Sequence, residues 1–375
     1  MVIRRKALLI CSPQLGLNPN SILGGEVFDR EILLGLAQRG IKIEIILPKG
    51  KPYDQNIKNW SLTYVSISHF PAYLFNLLIL PYLYVVFAKR RFDIIRLHQP
   101  QFIGLGALLF KFFHPNVKLV ATYHQFGESN FGPFSRLINN FWDHIICDSL
   151  NVKELLIERF NLPPVKITVV GNGVPPYLKP APKDKKLVKN MNLEGKIILL
   201  YMGLFIERKN PLFLLDVLAS LSKERDNLAL IFWGEGPLGT QIRIKAQELG
   251  IRDKIRIQKP VFGKEKAKIH SLADIFVHPA IDEGFALAPL EAMACAKPIV
   301  MTNAYSAKEA VKDGINGYLC QSNNLDNWTK KLLELIDKPK LRRKMGEASQ
   351  VKVKSLFQWK LAVEKHLNVF TKLSR

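Results

Sequence analysis

The sequence predicts an α/β protein built as two doubly wound domains of similar size, joined by a proline-rich linker. Three observations predict it. Short β-branched runs alternate with helical stretches over most of the chain. The alternation breaks once, at residues 171–186 (GNGVPPYLKPAPKDKK), and then restarts. At 375 residues the chain is also too long for one ordinary hydrophobic core.

In the first half, the strand candidates are 6–11 (KALLIC), 42–48 (KIEIILP), 62–68 (LTYVSIS), 93–98 (DIIRLH), 118–124 (KLVATYH), 144–149 (HIICDS) and 166–171 (KITVVG). Helical patterns such as 25–39 and 151–160 lie between them. Near-continuous apolar strands separated by helices indicate a parallel sheet covered on both faces. The stretch 171–186 is dense in proline and lysine, so it continues neither helix nor sheet and marks a domain boundary. Strand signals resume at 196–203, 228–234, 254–260, 275–279, 298–303 and 317–320, and after 324 the pattern is helical. The expected domains are 1–172 and 173–356. Paired doubly wound domains bind ligands at the carboxyl ends of their strands, here in a cleft between them.

Residues 70–88 (FPAYLFNLLILPYLYVVFA) compete with this picture. They have the length and the Lys89–Arg91 flank of a transmembrane helix. Pro71 and Pro81 interrupt the stretch, however, and a span would separate two strands of one sheet. The preferred reading is an apolar helix lying on a membrane face, with a helix buried in the protein as the alternative.

Hydrophobic residues make up 48% of the chain and charged ones 23%, which excludes wholesale disorder. Cys11, Cys147, Cys295 and Cys320 show no metal or disulfide spacing and fit a reducing compartment. The N-terminal segment MVIRRKALLIC lacks the long apolar region of a signal peptide. The net charge is +22, and it is spread: residues 1–175 carry a surplus of 8 and the remainder a surplus of 14. Such a surplus suggests an anionic partner. No interleaved basic and aromatic stripe occurs, so nucleic acid ranks last and an anionic membrane surface is the better candidate.

The stretch with most chemical content is 278–300, HPAIDEGFALAPLEAMACAKPIV. It should run strand, loop, helix, with Glu283 in the loop and Glu291 about one and a half turns into a helix that begins near Ala286. Backbone N–H groups of Phe285, Ala286 and Leu287 would then be donors at a helix N-terminus, suited to a phosphate. A nearby carboxylate can accept from sugar hydroxyls. Read by itself, the pair of glutamates is equally an ordinary strand-to-helix unit with an acidic first turn.

This stretch resembles the E-x7-E signature of the retaining GT-B glycosyltransferases of family 4, also described as glycosyl transferases group 1. Glu283-Gly284-Phe285-Ala286 and Glu291-Ala292-Met293-Ala294-Cys295-Ala296-Lys297-Pro298 follow that pattern, with alanine at 286 and 296 where the family carries glycine. The resemblance extends to YMGLFIERKNP (201–211), FWGEGP (232–237), GNGV (171–174), ATYHQF (121–126) and the loop and helix at 18–40. It implies a GT-B fold of two Rossmann-like domains, and a sugar moved from a nucleotide-sugar donor to an acceptor hydroxyl with retention of configuration.

The residue roles it implies are as follows. Arg208 and Lys209 bind the donor diphosphate and stabilise the leaving group. The family often places arginine directly after the glycine, where this chain has Leu204. Glu283 contacts the donor sugar and Glu291 the ribose. Gly284, Phe285, Ala286 and Leu287 line the phosphate site, and Gly234 and Gly236 let the backbone approach the donor. His124 and the Gly24–Gly25 loop shape the sugar and acceptor side, with the strand-end His98 as second choice. The last helix, 357–375, packs back on the first domain. The chain has no Asp-x-Asp, so no metal and no cofactor is expected, and the diphosphate charge falls to Arg208, Lys209 and helix N-termini.

The expected partners are the nucleotide-sugar and a glycan or lipid-linked acceptor, and the expected location is cytoplasmic, peripheral on the inner membrane face. Three rivals stay open: a nucleotide-sugar epimerase of similar shape, a basic nucleic-acid-binding protein, and a non-catalytic relative serving as a scaffold.

Overall fold

The computed structural model describes residues 8–66, 75–124 and 138–374. They form two compact units: residues up to Asn172 together with Trp359 onward, and Gly173–Gln358.

The first unit is built on a parallel sheet of seven strands among the described residues: β1 (Leu9–Pro13), β2 (Lys42–Pro48), β3 (Trp60–Val65), β4 (Ile94–His98), β5 (Lys118–Tyr123), β6 (His144–Cys147) and β7 (Ile167–Val169). Their order is β3-β2-β1-β4-β5-β6-β7. Every residue of β4 is buried: Ile94, Ile95 and Leu97 are apolar, and the polar Arg96 and His98 are buried against Asp29. The chain winds one way from β1 to β3 and the other way from β4 onward. The carboxyl ends of β1 and β4 are therefore the switch point where doubly wound sheets open a ligand crevice.

Two strand expectations shift. The first strand is Leu9–Pro13 rather than 6–11, and the third is Trp60–Val65 rather than 62–68. Residues 6, 7, 67 and 68 lie outside the described residues, as do 70–74 of the apolar segment. From Phe75 that segment is helix α2 (Phe75–Lys89), and it continues through Pro81. It packs against α3 (Pro100–Phe113) and buries Ile79, Leu83 and Val86. Among the described residues, no helix is long and apolar enough to cross a membrane.

Helix α1 (Gly24–Gln38) buries Phe28, Ile32, Leu33 and Leu36, the spacing of one helical face. That face meets the last helix, Trp359–Leu373. The approach is close at Gly35, where an added Cβ would lie 2.4 Å from a Val363 methyl.

The second unit has a six-stranded parallel sheet: β8 (Ile197–Met202), β9 (Leu228–Trp233), β10 (Ile255–Gln258), β11 (Ile275–His278), β12 (Ile299–Thr302) and β13 (Gly317–Cys320), ordered β10-β9-β8-β11-β12-β13. Its switch point lies between β8 and β11. The proline-rich stretch ends sooner than its composition suggests, because Asp184 accepts from the Leu187 N–H and caps a short helix, Lys185–Asn190. The helical tail is three helices, Leu325–Asp337, Pro339–Leu356 and Trp359–Leu373. Phe357, expected at the head of the last one, instead packs in the second unit with its ring 5.5 Å from that of Phe285.

Candidate functional site

In the second unit, two loops leave the switch point. The one after β8 runs through Gly203–Ile206 into a tight turn, Glu207–Lys209. The one after β11 runs from Pro279 to Ala286, and the helix that follows is Leu287–Ala294. The loops are tied through their backbones. The Ile281 N–H donates to the Arg208 carbonyl at 2.9 Å, and the Arg208 guanidinium donates to the Asp282 carbonyl at 3.3 Å. Their side chains meet as well. The buried Lys209 ammonium donates to Glu283 Oε1, and His278 Nε2 lies 2.8 Å from Glu283 Oε2.

Burial alone would raise the Glu283 carboxyl. The Lys209 ammonium and the His278 hydrogen bond outweigh it and hold the group well below the usual carboxylate range. Burial pushes His278 down, which keeps the ring neutral and its Nε2–H a donor to the ionised carboxylate. A small recess opens beside this cluster, lined by His278, Glu283, Phe285, Ala286, Thr302 and Ser306 among others. The helix starts at Leu287, not at Ala286, and no side chain caps it at Ala286. Gly284, Phe285, Ala286 and Leu287 thus lead from Glu283 into a helix N-terminus.

Glu291 lies about one turn into that helix, closer to its start than the sequence reading puts it. Its carboxylate is committed within the protein: Oε1 accepts from Lys266 at 2.7 Å, and Oε2 lies 3.7 Å from His270. Burial would raise this carboxyl too, but Lys266 and His270 bring it down to about 2. The two glutamates of the motif share no partner; each is locked to its own lysine and histidine.

Gly234 and Gly236 do something the sequence reading does not anticipate. Residues 234–239, GEGPLG, follow β9 and lead into a helix, Gly239–Glu248. The space a side chain would need at these glycines is filled by the loop after β8. A Cβ on Gly234 would lie 1.9 Å from the Gly203 carbonyl oxygen, and one on Gly236 would lie 2.5 Å from the Phe205 carbonyl oxygen. Phe205 and Leu238 then join the two loops by backbone hydrogen bonds. These glycines seat the segment that carries Arg208 and Lys209.

In the first unit, the switch point gathers Gly25, His98 and His124. Both rings lie 3.6 Å from where a Gly25 Cβ would be, and they are 5.0 Å apart by their centroids. Helix α1 starts at Gly24, and Glu26 in its first turn accepts from the Asn18 N–H at 2.7 Å, folding the preceding loop onto it. His98 is buried and faces Asp29, whose carboxylate forms a fully buried ion pair with Arg96 at 2.5 Å. Burial lowers His98, while Arg96 and His98 overcome the burial of Asp29 and hold it well below its ordinary value. Acceptor atoms of Asp29, His98 and His124 lie within 4.8 Å of one another, a spacing at which a metal could bind. Arg96 already supplies Asp29 with a cation, so a metal there would face a guanidinium.

The structure therefore brings Arg208, Lys209, Glu283 and residues 284–287 together in one unit, and Gly25, His98 and His124 together in the other. Sequence reasoning missed His278, Lys266, His270, Asp29 and Asp148. His278 adjoins the motif as the last residue of its strand, and Asp148 follows a strand directly; those positions were the available signals.

Comparison with known proteins covers both units. The family model described as "Glyco_transf_4: Glycosyltransferase Family 4" matches residues 22–177, and "Glycosyl transferases group 1" matches 182–352. A D-inositol 3-phosphate glycosyltransferase of Thermobispora bispora is 29% identical over 240 residues, covering 61% of this chain and 56% of that protein. An uncharacterised glycosyltransferase of Methanocaldococcus jannaschii is 30% identical over 234 residues, covering 62% and 60%. The matches thus span between about half and three-fifths of these relatives' lengths. Among solved structures, a glycosyltransferase from Rickettsia africae superposes with a TM-score of 0.81 at 19% identity, covering 98% of each chain. HepE of Anabaena in complex with UDP gives 0.81 at 17% identity, covering 97% of this chain and 100% of its own.

Proposed function

The chain belongs to the group 1, family 4 glycosyltransferases of the GT-B fold, and from that premise we propose that it moves a sugar from a nucleotide-sugar donor to an acceptor hydroxyl with retention of configuration. The observation that carries this reading is the meeting of Arg208, Lys209 and Glu283 at the switch point of the second unit. Breaking the bond between the sugar and the diphosphate leaves negative charge on a phosphate oxygen. A preorganised guanidinium and ammonium offset that charge without reorganising at the moment of reaction. Lys209 has three N–H donors and gives one to Glu283, so it can hold a phosphate while Glu283 fixes its position. The N-terminus of helix Leu287–Ala294 adds backbone donors.

Glu283 is ionised and can accept from sugar hydroxyls. His124 is assigned to the sugar and acceptor side. No protein carboxylate serves as nucleophile in this reading, and the leaving phosphate assists attack on the same face. Relatives whose structures hold UDP, or UDP and glucose, support a nucleotide-sugar as the donor class. The acceptor is a glycan or lipid-linked hydroxyl at the cytoplasmic face of an anionic membrane, for which the charge of +22 is the support.

A thermal-shift screen of nucleotides and nucleotide-sugars, followed by calorimetry on the best ligand, tests the donor class. Lys209→Ala should weaken diphosphate binding and remove most transfer, and product NMR should show the donor's anomeric configuration. Wild-type donor affinity and turnover in Lys209→Ala would overturn the assignment.

A further inference from the structure

Helices α2 and α3 lie side by side and cover one face of the first sheet, and their outward sides are unusual. A surface helix ordinarily turns charged residues to water. Here α2 exposes Leu77 and Val85, and α3 exposes Leu105, Leu109, Phe112 and Phe113. Leu105, Leu109 and Phe112 are spaced four and then three residues apart, so they form one stripe. Phe112 and Phe113 are 80% and 64% exposed, with their rings 5.2 Å apart. Neither helix contains an acidic residue. The C-terminal ends of both lie together, since Phe87 contacts Phe110 and His114. That end carries Lys89 and Arg91, with the Arg91 guanidinium over the Phe87 ring at 5.7 Å, while Arg90 and Lys111 there are paired with Glu44 and Asp143.

We propose that the outward face of α2 and α3 docks on an anionic lipid leaflet, with Phe112 and Phe113 inserted at the headgroup level and Lys89 and Arg91 against lipid phosphates. The inference rests on the membrane-surface role proposed above and not on the transfer chemistry. Charge complementarity selects this occupant. An apolar stripe on two helices that hold no acidic residue, ending at the cations Lys89 and Arg91, matches an acyl surface bordered by anionic headgroups. The basic end lies at the amino-terminal edge of the strands, away from the His98–His124 switch point. Docking there leaves the carboxyl-end crevice of this unit uncovered.

The test is co-sedimentation of the full chain with phosphatidylcholine vesicles, and with vesicles of phosphatidylcholine containing phosphatidylglycerol. Wild type should bind the anionic vesicles, more weakly at high salt. Phe112→Ser with Phe113→Ser should lower the bound fraction by about tenfold or more, with no loss of melting temperature because both side chains are already in water. Lys89→Glu with Arg91→Glu should abolish the preference for anionic vesicles. If anionic vesicles bind the phenylalanine variant as well as wild type, the membrane reading survives and this face is wrong. If no vesicle binds wild type, both fall. A concentration-dependent dimer that the same phenylalanine changes dissolve, without vesicle binding, assigns the face to a second copy and overturns the proposal. Lys209→Ala should bind vesicles as wild type does, which keeps a failure of the transfer reading distinct.

Discussion

His124 and Asp148 face one another just beyond the ends of neighbouring strands β5 and β6, with Nδ1 of the ring 3.3 Å from a carboxylate oxygen. Asp148 is buried, and Phe28 holds the other side of the ring edge-on at 4.6 Å. A carboxylate at Nδ1 selects the tautomer that carries its proton there and leaves Nε2 as an acceptor. Asp148 is thus a positioning residue for His124. Asp148→Asn should lower kcat by about tenfold, roughly 1.4 kcal/mol of barrier, with KM for the donor nearly unchanged. Steady-state kinetics check it, and an equal loss in a His124→Ala background would show that Asp148 acts elsewhere.

The pairing of Glu291 sets an acid limit. Its folded-state value of about 2 lies below the ordinary 4.5, so its contribution is complete above pH 4.5 and is lost as the pH falls toward 2. The gap corresponds to about 3 kcal/mol. Glu291→Gln should therefore be less stable than wild type at pH 7 by an amount of that order. The difference should shrink steadily below pH 4.5. Urea denaturation at pH 7 and pH 3 measures both.

Ala296 occupies a conformation better suited to glycine. Its φ is +56°, and it closes the helix Leu287–Ala294 as the Ala296 N–H donates to Met293 and the Lys297 N–H to Ala292. That is the paired bonding of a Schellman cap with a side chain where none is favoured. Ala296→Gly should raise stability by about 1 kcal/mol, the strain relieved less the extra freedom of the unfolded glycine. Thermal unfolding followed by calorimetry reads it out.

Gly234 supports the phosphate-side loop by having no side chain. Gly234→Ala drives a Cβ to within 1.9 Å of the Gly203 carbonyl oxygen, so the loop after β8 has to move. The expected cost is about 3 kcal/mol. Donor affinity should fall together with stability, although residue 234 itself need not touch the donor. A variant with native stability and weakened donor binding would mean that Gly234 acts on the ligand directly.

The fold was legible wherever apolar runs had no other explanation. A strand such as Leu228–Trp233 has no polar face to expose, and the restart after the proline-rich stretch gave away a second sheet. Pro81 does not end α2, which is anchored by buried Ile79 and Leu83 on either side of the one missing backbone donor. Arg208, Lys209 and Glu283 could be named because the segments that carry them resemble those of a known family; taken alone they read as a basic turn and an ordinary strand-to-helix unit. Their partners could not, since His278 bonding Glu283 and Lys266 bonding Glu291 depend on side-chain directions that spacing does not encode. Asp148 reaches His124 only because β5 and β6 are neighbours, a fact of strand order. The glycines at 234 and 236 were visible as a tight turn, but what filled the space around them required the loop from a different strand.

The return of Trp359–Leu373 to the first unit has a consequence in time. Translation delivers the seven strands and α1 first, then the whole of Gly173–Gln358, and only afterwards the segment that covers Phe28 and Gly35. Until then an apolar flank of α1 stands open on the growing chain, exposed to chaperones and to other nascent chains. The second unit is continuous and waits for no distant segment. The first is kept waiting, so it should mature last although it is made first.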